Sequence, residues 1–164
     1  MTRQDVFAIL AVVGLIGGIE SYNSHSLNNL EEKGVKTVAV IVSVSHKNVR
    51  AAFVGNGRRC EHVQSNLYKA LEGETYALRY DPEDVADAHI YFEEPVYDKR
   101  EYGTTQTTAL STSAIKTGIS FDYTVGNEKY DRYQKEDADK TLDETRPAKV
   151  FYKLSDPETA YLDY

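Results

Sequence analysis

The chain has little sulfur and no indole: one cysteine, one methionine and no tryptophan in 164 residues. A lone thiol excludes an internal disulfide and a cysteine-rich structural zinc site. Basic residues are also in deficit, 19 Lys and Arg against 26 Asp and Glu, for a net charge of −7 spread almost evenly along the chain. With no local basic stripe to override that balance, nucleic acid is excluded as the main partner. Long hydrophobic runs are scarce, and a mean hydropathy of −0.52 excludes a polytopic membrane protein. A disordered tail is excluded from the other side by 41% hydrophobic residues and 13 tyrosines. Nucleophile-elbow, phosphate-loop and dinucleotide fingerprints are missing as well.

One apolar run is present, from Val6 to Ile19, bounded by Arg3 and Glu20. At a helical rise of about 1.5 Å per residue it covers roughly 21 Å, short of the roughly 30 Å hydrocarbon core of a bilayer. The favoured expectation is an uncleaved signal anchor and single membrane span, with Val6, Phe7, Ile9, Leu10, Val13, Leu15, Ile16 and Ile19 in lipid. The alternatives are the apolar core of a cleaved secretory signal, which lacks a small-x-small site, and a buried core helix. Arg3 before the run places the amino terminus in the cytoplasm and the rest of the chain in the periplasm or outside the cell. Asp5, Gly14 and Tyr22 around this run resemble the amino-terminal helix of type IV pilin-like subunits, which implies polymerisation through that helix. Arg3 and Gln4 depart from the pilin pattern, and Gly34 after Glu31-Glu32-Lys33 is expected to stop the helix.

Beyond Gly34 the periodicity changes to that of strands. Val38, Val40, Val42 and Val44 alternate with Ala39, Ile41, Ser43 and Ser45, and further strand patterns follow at 49–54, 58–63, 75–80 and 89–92. Asn56-Gly57 is a hairpin signal, since both residues tolerate the positive φ of a type I′ turn. The second half replays this order with strands at 119–125, 130–133, 148–152 and 160–164. Three landmarks recur about 70 residues apart: Val54-Gly55-Asn56 with Val125-Gly126-Asn127, Gln64 with Gln134, and Asp81-Pro82-Glu83 with Asp156-Pro157-Glu158. The expected fold is therefore mainly β: an amino-terminal apolar, transmembrane α-helix (1–33) followed by two small antiparallel β-sandwich or barrel-like repeats (34–95 and 96–164). Glu94 to Gly103 reads as a linker, and Thr104 to Ser113 as a strand exposed on one face.

The aromatic-x-aromatic-x-Val-Gly hairpin Phe121, Tyr123, Val125, Gly126 and Asn127, with Tyr130, Tyr152, Asp156 and Pro157, resembles a bacterial membrane-associated family of domains of unknown function. A weaker echo lies in Phe53, Val54, Gly55, Tyr80, Asp81 and Pro82. The resemblance covers about the last 130 residues as two copies. It implies a small β-domain attached to a membrane, and no chemistry.

Chemistry-bearing candidates are few. Cys60 and His62, two apart in a strand, share a face and could begin a metal site if His46 or His89 joined them. The acidic stretches 81–87 and 136–139 lack the Gly and terminal Glu of a calcium loop and read as solvated turns. No cofactor is expected and no catalytic pair stands out. Tyr123, Tyr130, Tyr133, Tyr161 and Tyr164 form the candidate partner surface, because tyrosine joins apolar area to a polar tip. The sequence thus reads as a non-enzymatic, single-pass membrane-anchored binding or assembly subunit of an envelope complex. Its expected partners are lipid through the amino-terminal helix and other protein subunits, with a homo-oligomer as one form. A pilin-like subunit and a metal-binding protein are the alternatives.

Overall fold

The structure is a computed structural model describing residues 27–113, 117–143 and 146–164. Eleven strands are found in them: β1 Val35–Val44, β2 Asn48–Gly55, β3 Arg58–Ser65, β4 Thr75–Tyr80, β5 Ala88–Pro95, β6 Tyr102–Thr107, β7 Leu110–Ser113, β8 Gly118–Val125, β9 Glu128–Lys135, β10 Ala148–Lys153 and β11 Asp156–Asp163. All pairings are antiparallel. A 3-10 turn, Lys99–Glu101, occupies the stretch read as a linker, capped by the Asp98 side chain on the Arg100 amide.

The mainly-β expectation holds, and the transmembrane helix is corrected. Among the described residues no helix is long and apolar enough to cross a membrane. Helix appears at 27–33, a stretch whose Glu31, Glu32 and Lys33 are exposed while Leu30 is 2% exposed. It stops at Gly34 as the sequence suggests; the Gly34 amide donates to the Leu30 carbonyl oxygen at 3.0 Å, and a Cβ at this position would lie 2.4 Å from that oxygen, so only glycine fits. The anchor residues Val6, Phe7, Ile9, Leu10, Val13, Leu15, Ile16 and Ile19 lie outside the described residues.

The first half is one five-stranded sheet in the order β3-β2-β1-β4-β5. Its inner face carries Ala39, Ile41, Val49, Ala51, Phe53, Tyr76, Leu78, Ile90 and Phe92, all buried in one core. The sheet curls until its edges meet, and a side chain closes the seam: the Gln64 amide donates to Ile90 O at 3.0 Å and its Oε1 accepts the Ile90 N–H at 2.8 Å.

In the second half the same strand order recurs with one strand broken. The sheets are β7-β8-β9 and β11-β10-β6. β1 pairs with β4 along Val35–Val40 and with β2 along Ala39–Val44; β6 pairs with β10 and β7 with β8. One bent strand of the first half thus corresponds to two short strands of the second. Matched through their partners on β2 and β8, Ile41 corresponds to Leu110, so Thr108 and Ala109 interrupt the second copy beside Val40, just before the bulge of β1 between Ile41 and Ser43. The seam device recurs too, with the Leu162 N–H donating to Gln134 Oε1 at 2.9 Å.

Two of the repeat landmarks take structural meaning and one does not. Gln64 and Gln134 are equivalent seam residues. The hairpins are equivalent as well, but shifted by one residue from the sequence alignment. Asn56 and Gly57 both have positive φ, 50° and 73°, as a type I′ turn requires, whereas only Gly126 does at the second hairpin (62°), the pattern of type II′. Asp81-Pro82-Glu83 lies in the β4–β5 loop, while Asp156-Pro157-Glu158 lies inside β11 after a tight turn at Leu154-Ser155.

The halves share their interiors. Tyr161 of β11 points away from the second core (Ile119, Phe121, Tyr123, Ala148, Val150, Ala160, Leu162) and packs in the first, edge-on to Tyr76 at 6.4 Å. Tyr97 and Tyr102 stack beside it at 5.0 and 5.9 Å.

Candidate binding face

Each strand has two faces, and the inner one is spent on the core. On the outer face of β1, β2 and β3 the register sets Val40 beside Ala52, Ala52 beside Glu61, Val54 beside Arg59 and Arg50 beside Val63. Valine suits a half-buried pleated surface by its stiff branched side chain, so strand propensity alone permits it there. Its exposure is the anomaly. Val38, Val40, Val54 and Val63 are 46%, 41%, 61% and 56% exposed. Of the nine large apolar side chains exposed among the described residues, six lie on β1, β2 and β3.

The second half supplies an internal control. Aligned on the hairpins and seam glutamines, Arg50, Ala52 and Val54 of β2 correspond to Ser120, Asp122 and Thr124 of β8. Likewise Arg59, Glu61 and Val63 of β3 correspond to Lys129, Asp131 and Tyr133 of β9. The same fold therefore carries Ser, Asp and Thr on one copy of this face and Arg, Ala and Val on the other. An apolar outer face is not something the architecture demands.

A cleft of about 520 Å³ on the outer side of β4 and β5 is lined by Glu31, Arg79, Tyr91, Glu93, Glu94, Asp137 and Asp139. Two of its carboxylates are paired, Glu93 with Lys135 at 2.8 Å and Glu94 with Lys36 at 2.5 Å, and Arg79 donates to the Glu31 backbone carbonyl at 2.7 Å.

The candidates named from sequence fall elsewhere. Cys60 and His62 do share the inner side of β3, as their spacing requires, but Cys60 Sγ lies 3.5 Å from Arg58 O and 3.9 Å from Gly55 O. Among the described residues no three His, Cys, Asp or Glu groups are placed to hold a metal. Burial lowers the pKa of His62, and burial together with Lys135 and His62 lowers that of His89 to about 4.

The five tyrosines do not form a surface together. Tyr123, Tyr133 and Tyr161 are 3%, 9% and 3% exposed. Tyr123 donates to Pro157 O, and burial raises its pKa, as it does that of Tyr161. Tyr133 stacks on Tyr68 of the first half at 6.2 Å. Tyr130 is half-buried, stacked on Tyr123 at 5.4 Å and bonded to Glu128 at 2.6 Å. Half-buried Tyr164 accepts the Asp137 N–H at 2.8 Å. Their strand positions explain this: in a fold without tryptophan these rings are the largest core fillers.

The valine face is not legible in the sequence, because Val38, Val40 and Val42 alternate with Ala39 and Ile41, and both sets are apolar. Alternation marks two faces without saying which one the core takes. No known protein family matches the chain, and neither does any curated protein or solved structure.

Proposed function

We propose that the protein is a non-enzymatic binding or assembly module that docks through the outer face of β1, β2 and β3. The observation that carries this reading is the contrast between the two copies: Val54, Ala52 and Val63 stand where the other copy has Thr124, Asp122 and a tyrosine packed on the first half. An exposed apolar patch with a polar rim is the usual mark of a protein interface. The uncharged run Val6–Ile19 in the sequence supports placing the assembly at a membrane; a chain left soluble by alkaline carbonate extraction of cells would remove that placement.

The test of the docking face is thiol protection. Val63→Cys and Leu154→Cys, each in a Cys60→Ser background, begin from similar exposure, 56% and 59%. In the cells that make the protein, maleimide should modify the position-63 thiol about tenfold more slowly than the position-154 thiol, a population difference worth about 1.4 kcal/mol. Equal rates would sink the proposal.

A further inference from the structure

Resting on the reading of this face as a docking surface, we infer that its occupant is the same face of a second copy of the chain, related by a two-fold axis. Charge is the first argument. Arg50 and Arg59 flank Glu61 at the rim of the valines, and their side chains are 58%, 71% and 47% exposed. The approaches of Arg50 and Arg59 to Glu61 are 3.9 and 4.0 Å, too long for either pair to use up its hydrogen-bonding capacity. A partner of one sign would leave the other sign facing it unpaired. A two-fold axis instead offers Glu61 of each copy to an arginine of the other, the reciprocity that an isologous interface requires.

The second argument is internal. Tyr133 of β9 holds the position of Val63 in β3, and it already serves contact of one copy on the other within the chain. It stacks on Tyr68 at 6.2 Å, while its neighbours Arg132 and Lys135 pair with Glu74 and Glu93 at 2.6 and 2.8 Å. This strand is thus an interface in one repeat, and its 56%-exposed counterpart has nothing comparable against it among the described residues. Two sheets stacked face to face sit about 10 Å apart with side chains interdigitating, a spacing that Val38, Val40, Ala52 and Val54 can fill while Arg50, Arg59 and Glu61, which lie between them and Val63, pair across the axis.

Sedimentation equilibrium on the full chain tests the inference. The wild-type chain should be a dimer. Val54→Asp with Val63→Asp should weaken association at least tenfold and leave the circular dichroism unchanged, because both side chains project into solvent within the protomer. Glu61→Arg should weaken it as well, and adding Arg50→Glu and Arg59→Glu to that variant should restore it. Association that survives the double aspartate variant overturns the inference, as does association abolished by Ile9→Asp and Val13→Asp while the double aspartate variant still dimerises. A monomeric wild-type chain overturns it too. In that case the position-63 thiol separates the two proposals: protected in cells, it retains a docking face for a different partner; freely modified, it removes both.

Discussion

Glu74 and Arg132 come from different halves and meet in the interior, with side chains 0% and 8% exposed. Glu74 Oε1 receives Arg132 Nη2 at 2.6 Å, and its Oε2 receives the Leu71 N–H at 2.7 Å and the Tyr76 hydroxyl at 2.8 Å. Arg132 Nη1 in turn donates to Lys69 O at 3.2 Å. A buried pair bonded in this way, with Arg132 Nε left without a hydrogen-bond partner among the described residues, is neutral to modest in net stability, yet removal of one partner leaves an uncompensated charge in a low dielectric. Arg132→Ala should therefore cost about 3–5 kcal/mol in urea unfolding, while Arg132→Met with Glu74→Leu should cost less than that single change. His89 makes the second prediction at this scale. Its pKa is held down to about 4 by burial, so its neutral form belongs to the folded state. The unfolded chain, with an ordinary histidine pKa near ~6.5, binds the proton first, and stability falls as pH drops from about 6.5 to about 4. The slope from this one group cannot exceed ~1.4 kcal/mol per pH unit. Urea midpoints across that window should show the fall, and His89→Gln should flatten it; an unchanged profile would exclude this origin.

At the scale of elements, the seams decide how far each sheet closes. β3 and β5 are joined at this point by the Gln64 side chain, not by a backbone ladder. Gln64→Leu would strip the Ile90 N–H and C=O of their partners in a part-buried place, at about 1–3 kcal/mol. Hydrogen exchange of the Ile90 amide should accelerate while that of Leu162, held by Gln134, stays unchanged; equal acceleration at both would refute local seam closure. The elements also show what was readable beforehand. β2, β4 and β8 lie where alternation put them, and Asn56-Gly57 turns as its chemistry demands. The break between β6 and β7 was not readable, because Thr104 to Ser113 is uniformly rich in β-branched and small residues and Thr108 carries no breaker signal. The Asp-Pro landmark misled for a related reason: proline is also tolerated in an edge strand, and Pro157 sits in β11, at the edge of its sheet and beside the register shift between Tyr152 and Lys153.

For the whole molecule, the two repeats should behave as one cooperative unit. Tyr161 contributes to the core of the other half, and the Glu74–Arg132 pair crosses between them. Each half alone is near the lower size limit for independent folding. Calorimetry should show a single transition with equal calorimetric and van't Hoff enthalpies; two resolved transitions would contradict shared folding. The amino-acid sequence by itself determined the β class, the hairpins and the duplicated order, because these depend on local periodicity and turn chemistry. Tertiary structure alone decided that Tyr123, Tyr133 and Tyr161 are buried while Val38, Val40, Val54 and Val63 face outward. A strand's period distinguishes its two sides, but only packing chooses which side is covered.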